Sequence, residues 1–293
     1  MSSLQKNIQW GLNKRPALHL KTTDETVKMN TFHFYNIGHI GDNLLNLKYF
    51  LSVARILKEK KCKIYYYYDT GYLYNKKEKL MQYVDPELIE LKSLSERPSD
   101  SIQLWMADPK NGLMHEEFEK YFEQFYLELS KCLKIENLPI NNTLWLEEEY
   151  LLPVYEALDP QFKDIDILIL NNLGMSSQYN NNQALNQLCH HLHSKFNIVT
   201  LGEVGIKNIS FIKNVSGIKN ASGLTLKQIG AMSTRAKYII TPNSGALIPC
   251  LNSYTKNYVK KWFFVGRVYS WYTIDHVQCG TDVTPIKEYF DSL

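Results

Sequence analysis

The feature that most restricts what this chain can fold into is a strand, glycine turn, helix, strand order that occurs early and restarts past the middle. The first copy begins with the aromatic run Thr31–Ile37, strand-like in composition. It passes into a turn with Gly38 and Gly41, followed by Asp42 and Asn43. A helical stretch is then expected from Leu44 to Lys60, because Leu44, Leu47, Leu51, Ala54 and Leu57 recur at helical spacing. Lys63–Tyr68 reads as a second strand, closed by Asp69 and Gly71. Two strands joined through a helix must run parallel, with a right-handed crossover.

The remainder extends that pattern. A short helix over 79–84, strands over Leu88–Leu91 and Ser101–Met106, and a helix over 115–134 with Phe118, Phe122, Phe125 and Leu129 on one face complete a first series. The acidic, proline-bearing stretch Glu147–Asp164 is the expected boundary. Beyond it, strands are expected at Ile165–Leu170, Asn197–Leu201, Lys237–Thr241 and Trp262–Val265, the last clear one. Helices are expected over 183–195 and Leu224–Ala236. The fold class is therefore α/β, with two Rossmann-like domains, residues 1–155 and 156–293, facing a central cleft. A chain of 293 residues is long enough for two such domains.

Composition narrows the function. A net charge of +3, carried mostly by Lys with only five Arg, is far from that of a dedicated nucleic-acid binder, so no nucleic-acid partner is expected. The five cysteines are scattered and form no CxxC pair, which fits reduced thiols in a cytoplasmic protein. No apolar run reaches the ~18 residues of a membrane span, so no integral membrane contact is expected. The Asn-x-Ser/Thr sequons at Asn141, Asn208, Asn214 and Asn220 are read as chance occurrences in an Asn-rich chain.

Chemistry in open α/β sheets gathers at the carboxyl ends of strands. Asp42, at the end of the first strand, reads either as a general base that deprotonates an acceptor hydroxyl or as a helix cap, a role Asn43 would serve equally. Gly41 lets a phosphate approach the helix start, and His39 and Asn43 flank the acceptor side. In the second half, Thr241–Gly245 is a strand-to-helix turn whose Asn243, Ser244 and Gly245 suit an anion nest for a donor diphosphate. Leu224 and Thr225, at a capped helix start, and Gly174, Ser176 and Ser177, in the loop after Leu170, are further donor-side candidates.

The segment Ile37–Asn46 together with Gly223–Asn252 resembles the heptosyltransferase-type family of inverting GT-B glycosyltransferases. That family carries a Gly-Asp turn after its first strand and a C-terminal apolar pattern ending in an acidic-Ser/Thr-Gly turn. Leu226, Ile229, Ala236, Ile239 and Ile240 keep the apolar spacing, and Asn243, Ser244 and Gly245 occupy the turn. The resemblance covers two blocks, about 80 residues, and implies a donor held by the second half and an acceptor held by the first. It also implies single displacement with Asp42 as base. The family's acidic residue is Asn243 here, and its following His is replaced by the apolar Leu247 and Ile248. Heptose is therefore not predicted. The Lys- and Asn-rich style fits an enzyme of a large DNA virus.

Two metal-like signals are discounted. Asp164 and Asp166 form a DxD, but they precede their strand, whereas a metal–diphosphate pair must follow it. Cys189 and His193 sit four apart within an amphipathic helical segment, Cys189–His193, that brings no third carboxylate and no HExxH pattern. Tyr65–Tyr68 alternate along a strand, sending two rings to each face, and are read as packing. The expectation is a metal-independent, cofactor-free inverting transferase moving a sugar from a nucleotide diphosphate donor, a UDP-sugar as the prior, to a glycan hydroxyl. Arg267 would add charge at the phosphates. The rivals are a dinucleotide- or S-adenosylmethionine-dependent enzyme, a sugar-nucleotide epimerase, and a non-catalytic glycan- or nucleotide-binding protein.

Overall fold

In the computed structural model, the residues described are 29–71, 76–104, 130–131, 133–135, 150–170, 182–201, 218–220, 224–242, 245–266 and 275–293. Outside them lie several sequence expectations: Gly174, Ser176, Ser177, Asn243, Ser244, Arg267 and the helix face Phe118, Phe122, Phe125 and Leu129. The chain divides into two compact units, Met1–Leu144 and Trp145–Leu293.

The first unit holds a four-stranded parallel sheet built from β1 (Asn30–Asn36), β2 (Cys62–Tyr68), β3 (Ile89–Ser93) and β4 (Ile102–Gln103), in the order β3-β2-β1-β4. Helix α1 (Ile40–Ser52) and the short α2 (Ala54–Glu59) connect β1 to β2. The expected single helix is thus broken at Val53 and begins four residues early, with Ile40. Phe34, Leu47, Phe50, Ile64 and Tyr66 are buried between α1 and the sheet, with Phe34 and Phe50 5.5 Å apart and Phe50 edge-on to Tyr66. Alternation works as expected along β2. Tyr66 takes the α1 face, while Tyr65 stacks on His33 across the opposite face and Tyr67 hydrogen-bonds the His33 ring at 2.9 Å.

The second unit holds a six-stranded sheet, all parallel. Its strands are β5 (Ile167–Ile169), β6 (Ile198–Thr200), β7 (Ile218–Asn220), β8 (Tyr238–Pro242), β9 (Lys261–Val265) and β10 (His276–Gly280). Their order, β10-β9-β8-β5-β6-β7, is the doubly wound dinucleotide-fold order read from the other edge. Strands β5, β6, β8 and β9 are almost continuously buried, as parallel strands covered on both faces must be. Helices α5 (Asn182–Leu192) and α8 (Thr284–Asp291) cover one face through Leu185, Leu188, Leu192, Ile286 and Phe290. Helix α6 (Leu226–Ser233) precedes β8, and α4 (Leu152–Glu156) packs against it. The sequence reading missed β7, β10 and α8, and Trp262–Val265 is not the last strand. The β10 segment has only Val277 and Cys279 to mark it, and it is ordered by pairing with β9.

Asp164 and Asp166 lie at the amino-terminal entry of β5, where Asp166 accepts hydrogen bonds from Asn197 N (2.9 Å) and Lys237 Nζ (2.6 Å). Cys189 points into the core, whereas His191 turns outward to Asp291, 3.0 Å away. Among the described residues no group of three or more His, Cys, Asp or Glu is arranged to hold a metal ion, and no helix is long and apolar enough to cross a membrane.

Candidate active site

The order β3-β2-β1-β4 reverses direction between β1 and β4, and open α/β sheets bind ligands at that switch, outside the strand carboxyl ends. The Gly38–Asn43 segment leaves β1 there and opens α1. Neither Asp42 nor Asn43 is the cap. His39 holds the capping position with extended backbone, and Asp42 is the third residue inside the helix. From there its Oδ2 reaches back to accept the His39 N–H at 2.9 Å, satisfying one of the donors that a helix start leaves open. The helix starts earlier than the apolar spacing suggested because this reciprocal contact recruits Ile40, Gly41 and Asp42 into the first turn.

The position of Asp42 depends on Gly38. A Cβ on Gly38 would stand 2.5 Å from Asp42 Oδ2 and 2.8 Å from its Cβ and Cγ, so only glycine lets the carboxylate fold over the turn. Asp42 keeps part of its surface open, yet its carboxyl is ringed by protein atoms. That desolvation pushes its pKa above the ordinary aspartate range, against the smaller opposing effects of the His39 N–H bond and the His39 charge. A carboxylate raised in this way takes up a proton more readily, as a general base requires. Gly41 is half-buried in the same first turn and His39 is exposed beside it.

Asn43 faces the other way. It is fully buried, its Nδ2 donating to the carbonyls of Gly38 and His39, both at 3.0 Å, and its Oδ1 accepting from Tyr66 Oη at 2.9 Å. His39 is therefore the member of the pair open to a ligand. Three buried groups that sequence reasoning missed stand with it. Asn36 Oδ1 accepts from Gly38 N at 2.7 Å, and Asn46 Nδ2 donates to Tyr66 Oη and to the Leu104 carbonyl, both at 3.2 Å. Polar residues in otherwise apolar strand and helix faces were the signal available in the sequence.

In the second unit the sheet reverses direction between β5 and β8. Ile169 is in register with Ile240, and Leu170 N donates to the Ile240 carbonyl at 2.9 Å. Two adjacent strand ends thus precede, in the chain, Gly174, Ser176 and Ser177 on one side and Asn243 and Ser244 on the other, residues that lie outside those described. Gly245, half-buried, resumes the chain as the first residue of a 3₁₀ turn, Gly245–Cys250, rather than of an α-helix, because Pro249 blocks regular propagation. Leu224 and Thr225 precede α6. Thr225 caps it reciprocally: its Oγ1 accepts from Gln228 N (3.2 Å) and its own N–H donates to Gln228 Oε1 (2.9 Å). Its capping atoms are thus already engaged.

No family model and no curated protein matches the sequence. Solved structures match the fold. E. coli heptosyltransferase WaaC with ADP superposes with a TM-score of 0.52 at 9% identity, covering 89% of this chain and 99% of that one. E. coli ADP-heptose LPS heptosyltransferase II gives 0.51 at 12% identity, covering 89% and 98%. The fold is of the GT-B type. In the GT-B fold, the two parallel-sheet α/β units of this chain are its two Rossmann-like domains.

Proposed function

We propose that this protein is an inverting, metal-independent glycosyltransferase that moves a sugar from a nucleotide diphosphate donor to a hydroxyl of a glycan acceptor in the cytoplasm. The observation that carries the reading is Asp42: a carboxylate at the switch point of the first sheet, folded over Gly38 and held above the ordinary aspartate range by burial. The GT-B fold supports the reading, because the matched heptosyltransferases are glycosyltransferases by name.

In this scheme Asp42 removes the proton from the acceptor hydroxyl as its oxygen attacks the anomeric carbon. The carbon–oxygen bond to the diphosphate breaks on the opposite face, and the configuration inverts. His39, exposed at the cap, contacts the acceptor, and Gly41 contributes a free first-turn N–H. The departing diphosphate is received in the second unit by backbone N–H groups of Asn243, Ser244 and Gly245 and by Gly174, Ser176 and Ser177, which follow two adjacent strands in the sequence. Leu224 and Thr225 border that site, and Arg267 adds charge. A uridine donor remains the prior. ADP, present in one of the matched structures, is the competing nucleotide.

The deciding experiment incubates the protein with UDP- and ADP-sugars and a glycan array, with chelator present, and reads transfer by mass spectrometry. Transfer with inverted configuration is expected, and Asp42→Ala should lower it by about 10²–10⁴-fold while donor binding persists. Wild-type transfer by Asp42→Ala would remove the base assignment. Conversion of the donor without acceptor, giving an isomerised sugar nucleotide, would indicate an epimerase instead.

A further inference from the structure

Beneath the Asp42 turn lies a polar cluster that the proposed chemistry does not use directly. Asn36, Asn43, Asn46 and Tyr66 are each completely buried, and they come from β1, α1 and β2. Phe34 and Phe50 pack around them, so a phenylalanine at position 66 would fill the same space but would leave the buried Asn43 Oδ1 without its donor. The tyrosine hydroxyl instead acts as a hub. It donates to Asn43 Oδ1, accepts from Asn46 Nδ2, and has the Asn36 amide beside it.

The cluster is not arranged for stability alone. Asn46 Oδ1 is buried without a hydrogen-bond partner, an arrangement that weakens a core. A network that tolerates such an atom, placed directly under a working carboxylate, points to selection for geometry. Its bonds lead in one direction. Tyr66 orients the Asn43 amide, that amide clasps the Gly38 and His39 carbonyls, Asn36 holds the Gly38 N–H, and the His39 N–H holds Asp42.

We propose that Tyr66 is the positioning residue of the candidate base: through Asn43 it fixes the Gly38–His39 backbone on which the Asp42 carboxylate is seated. The proposal rests on the reading of Asp42 as the base, and it acts through that residue without touching substrate. Burial keeps the Tyr66 hydroxyl in its neutral form, so it serves as a permanent donor at any working pH. Among the described residues, the titratable groups facing Asp42 are His39 on the same turn and Tyr66 from β2.

The test needs no ligand. The full chain is labelled with carboxyl-¹³C aspartate, the Asp42 resonance is assigned by its loss in Asp42→Asn, and it is titrated by NMR in wild type and in Tyr66→Phe. With the hub removed, the turn loosens and water reaches the carboxylate. Its titration should then move down toward the ordinary aspartate value by more than about 0.3 unit. A smaller shift, or one upward, in a folded Tyr66→Phe protein overturns the proposal and leaves the cluster a packing feature. Should Tyr66→Phe fail to fold, Asn46→Ala removes the donor that seats the same hydroxyl, together with the bond to the Leu104 carbonyl, and leaves Asn43 Oδ1 its donor. The same threshold applies to it. The role of Asp42 as base is judged separately, by transfer activity of Asp42→Ala, so either idea can fail without the other.

Discussion

At the residue scale, Asp42 combines two properties that a surface cap would not need together: a seat that admits only glycine beneath it and a carboxyl pushed above its usual range. Its contribution to stability follows from that direction. A raised folded-state pKa means the contribution is fully present below the unfolded aspartate pKa and is lost as pH rises through the folded value. Asp42→Asn should therefore melt at a higher temperature than wild type at pH 7, with the gain vanishing on acidification to about pH 3.5. Calorimetry across that range checks it, and an unchanged melting point at pH 7 would mean the carboxylate is not strained by burial. Gly38→Ala places a Cβ against Oδ2 and should lower kcat by an order of magnitude or more, on the view that small misplacements of a reacting group cost about 10²-fold. Donor KM should stay constant. The presence of Asp42 at a strand end was legible in the sequence. Its place inside the first turn was not, because the contact with the His39 N–H, rather than apolar periodicity, sets where α1 begins.

At the element scale, two readings meet on one residue of α6, and the cap is the one its contacts realise. Thr225 was legible as a helix start from its position before Leu226, and its reciprocal contacts with Gln228 realise that start. Thr225→Ala should cost about 1 kcal/mol in urea unfolding, with Thr225→Ser close to neutral. If Thr225→Ala instead weakened donor binding tenfold at unchanged stability, the phosphate role would outweigh the cap. Strand legibility followed burial. Residues Ile167–Ile169 and Tyr238–Ile240, covered on both faces, stand out as apolar runs. The edge strand β10 does not, since His276–Gly280 carries half-buried and exposed positions and takes its form from β9. The Cys189 and His193 spacing that suggested a metal pair dissolves at this scale too, because α5 turns Cys189 into the core.

At the scale of the whole molecule, both sheets place their reversal of strand order at the elements that carry the candidate chemistry, β1 in one unit and β5 with β8 in the other. A nucleotide diphosphate sugar that binds at 100 times its dissociation constant should stabilise the protein by about 2.7 kcal/mol. A thermal-shift panel of uridine and adenosine donors reads this, and the shift should persist with chelator present. A shift that disappears with chelator would argue for a metal. From the sequence alone came the α/β class, the parallel connections, the two successive series, the strand-end positions of Asp42 and Gly245 and the helix-start position of Thr225, since glycine turns and apolar runs are local signals. Only the tertiary structure decided strand order, and with it which loops leave neighbouring strands. It also revealed the Asn36, Asn43, Asn46 and Tyr66 cluster under Asp42, because hydrogen bonds between residues up to 58 positions apart leave no periodic trace along the chain.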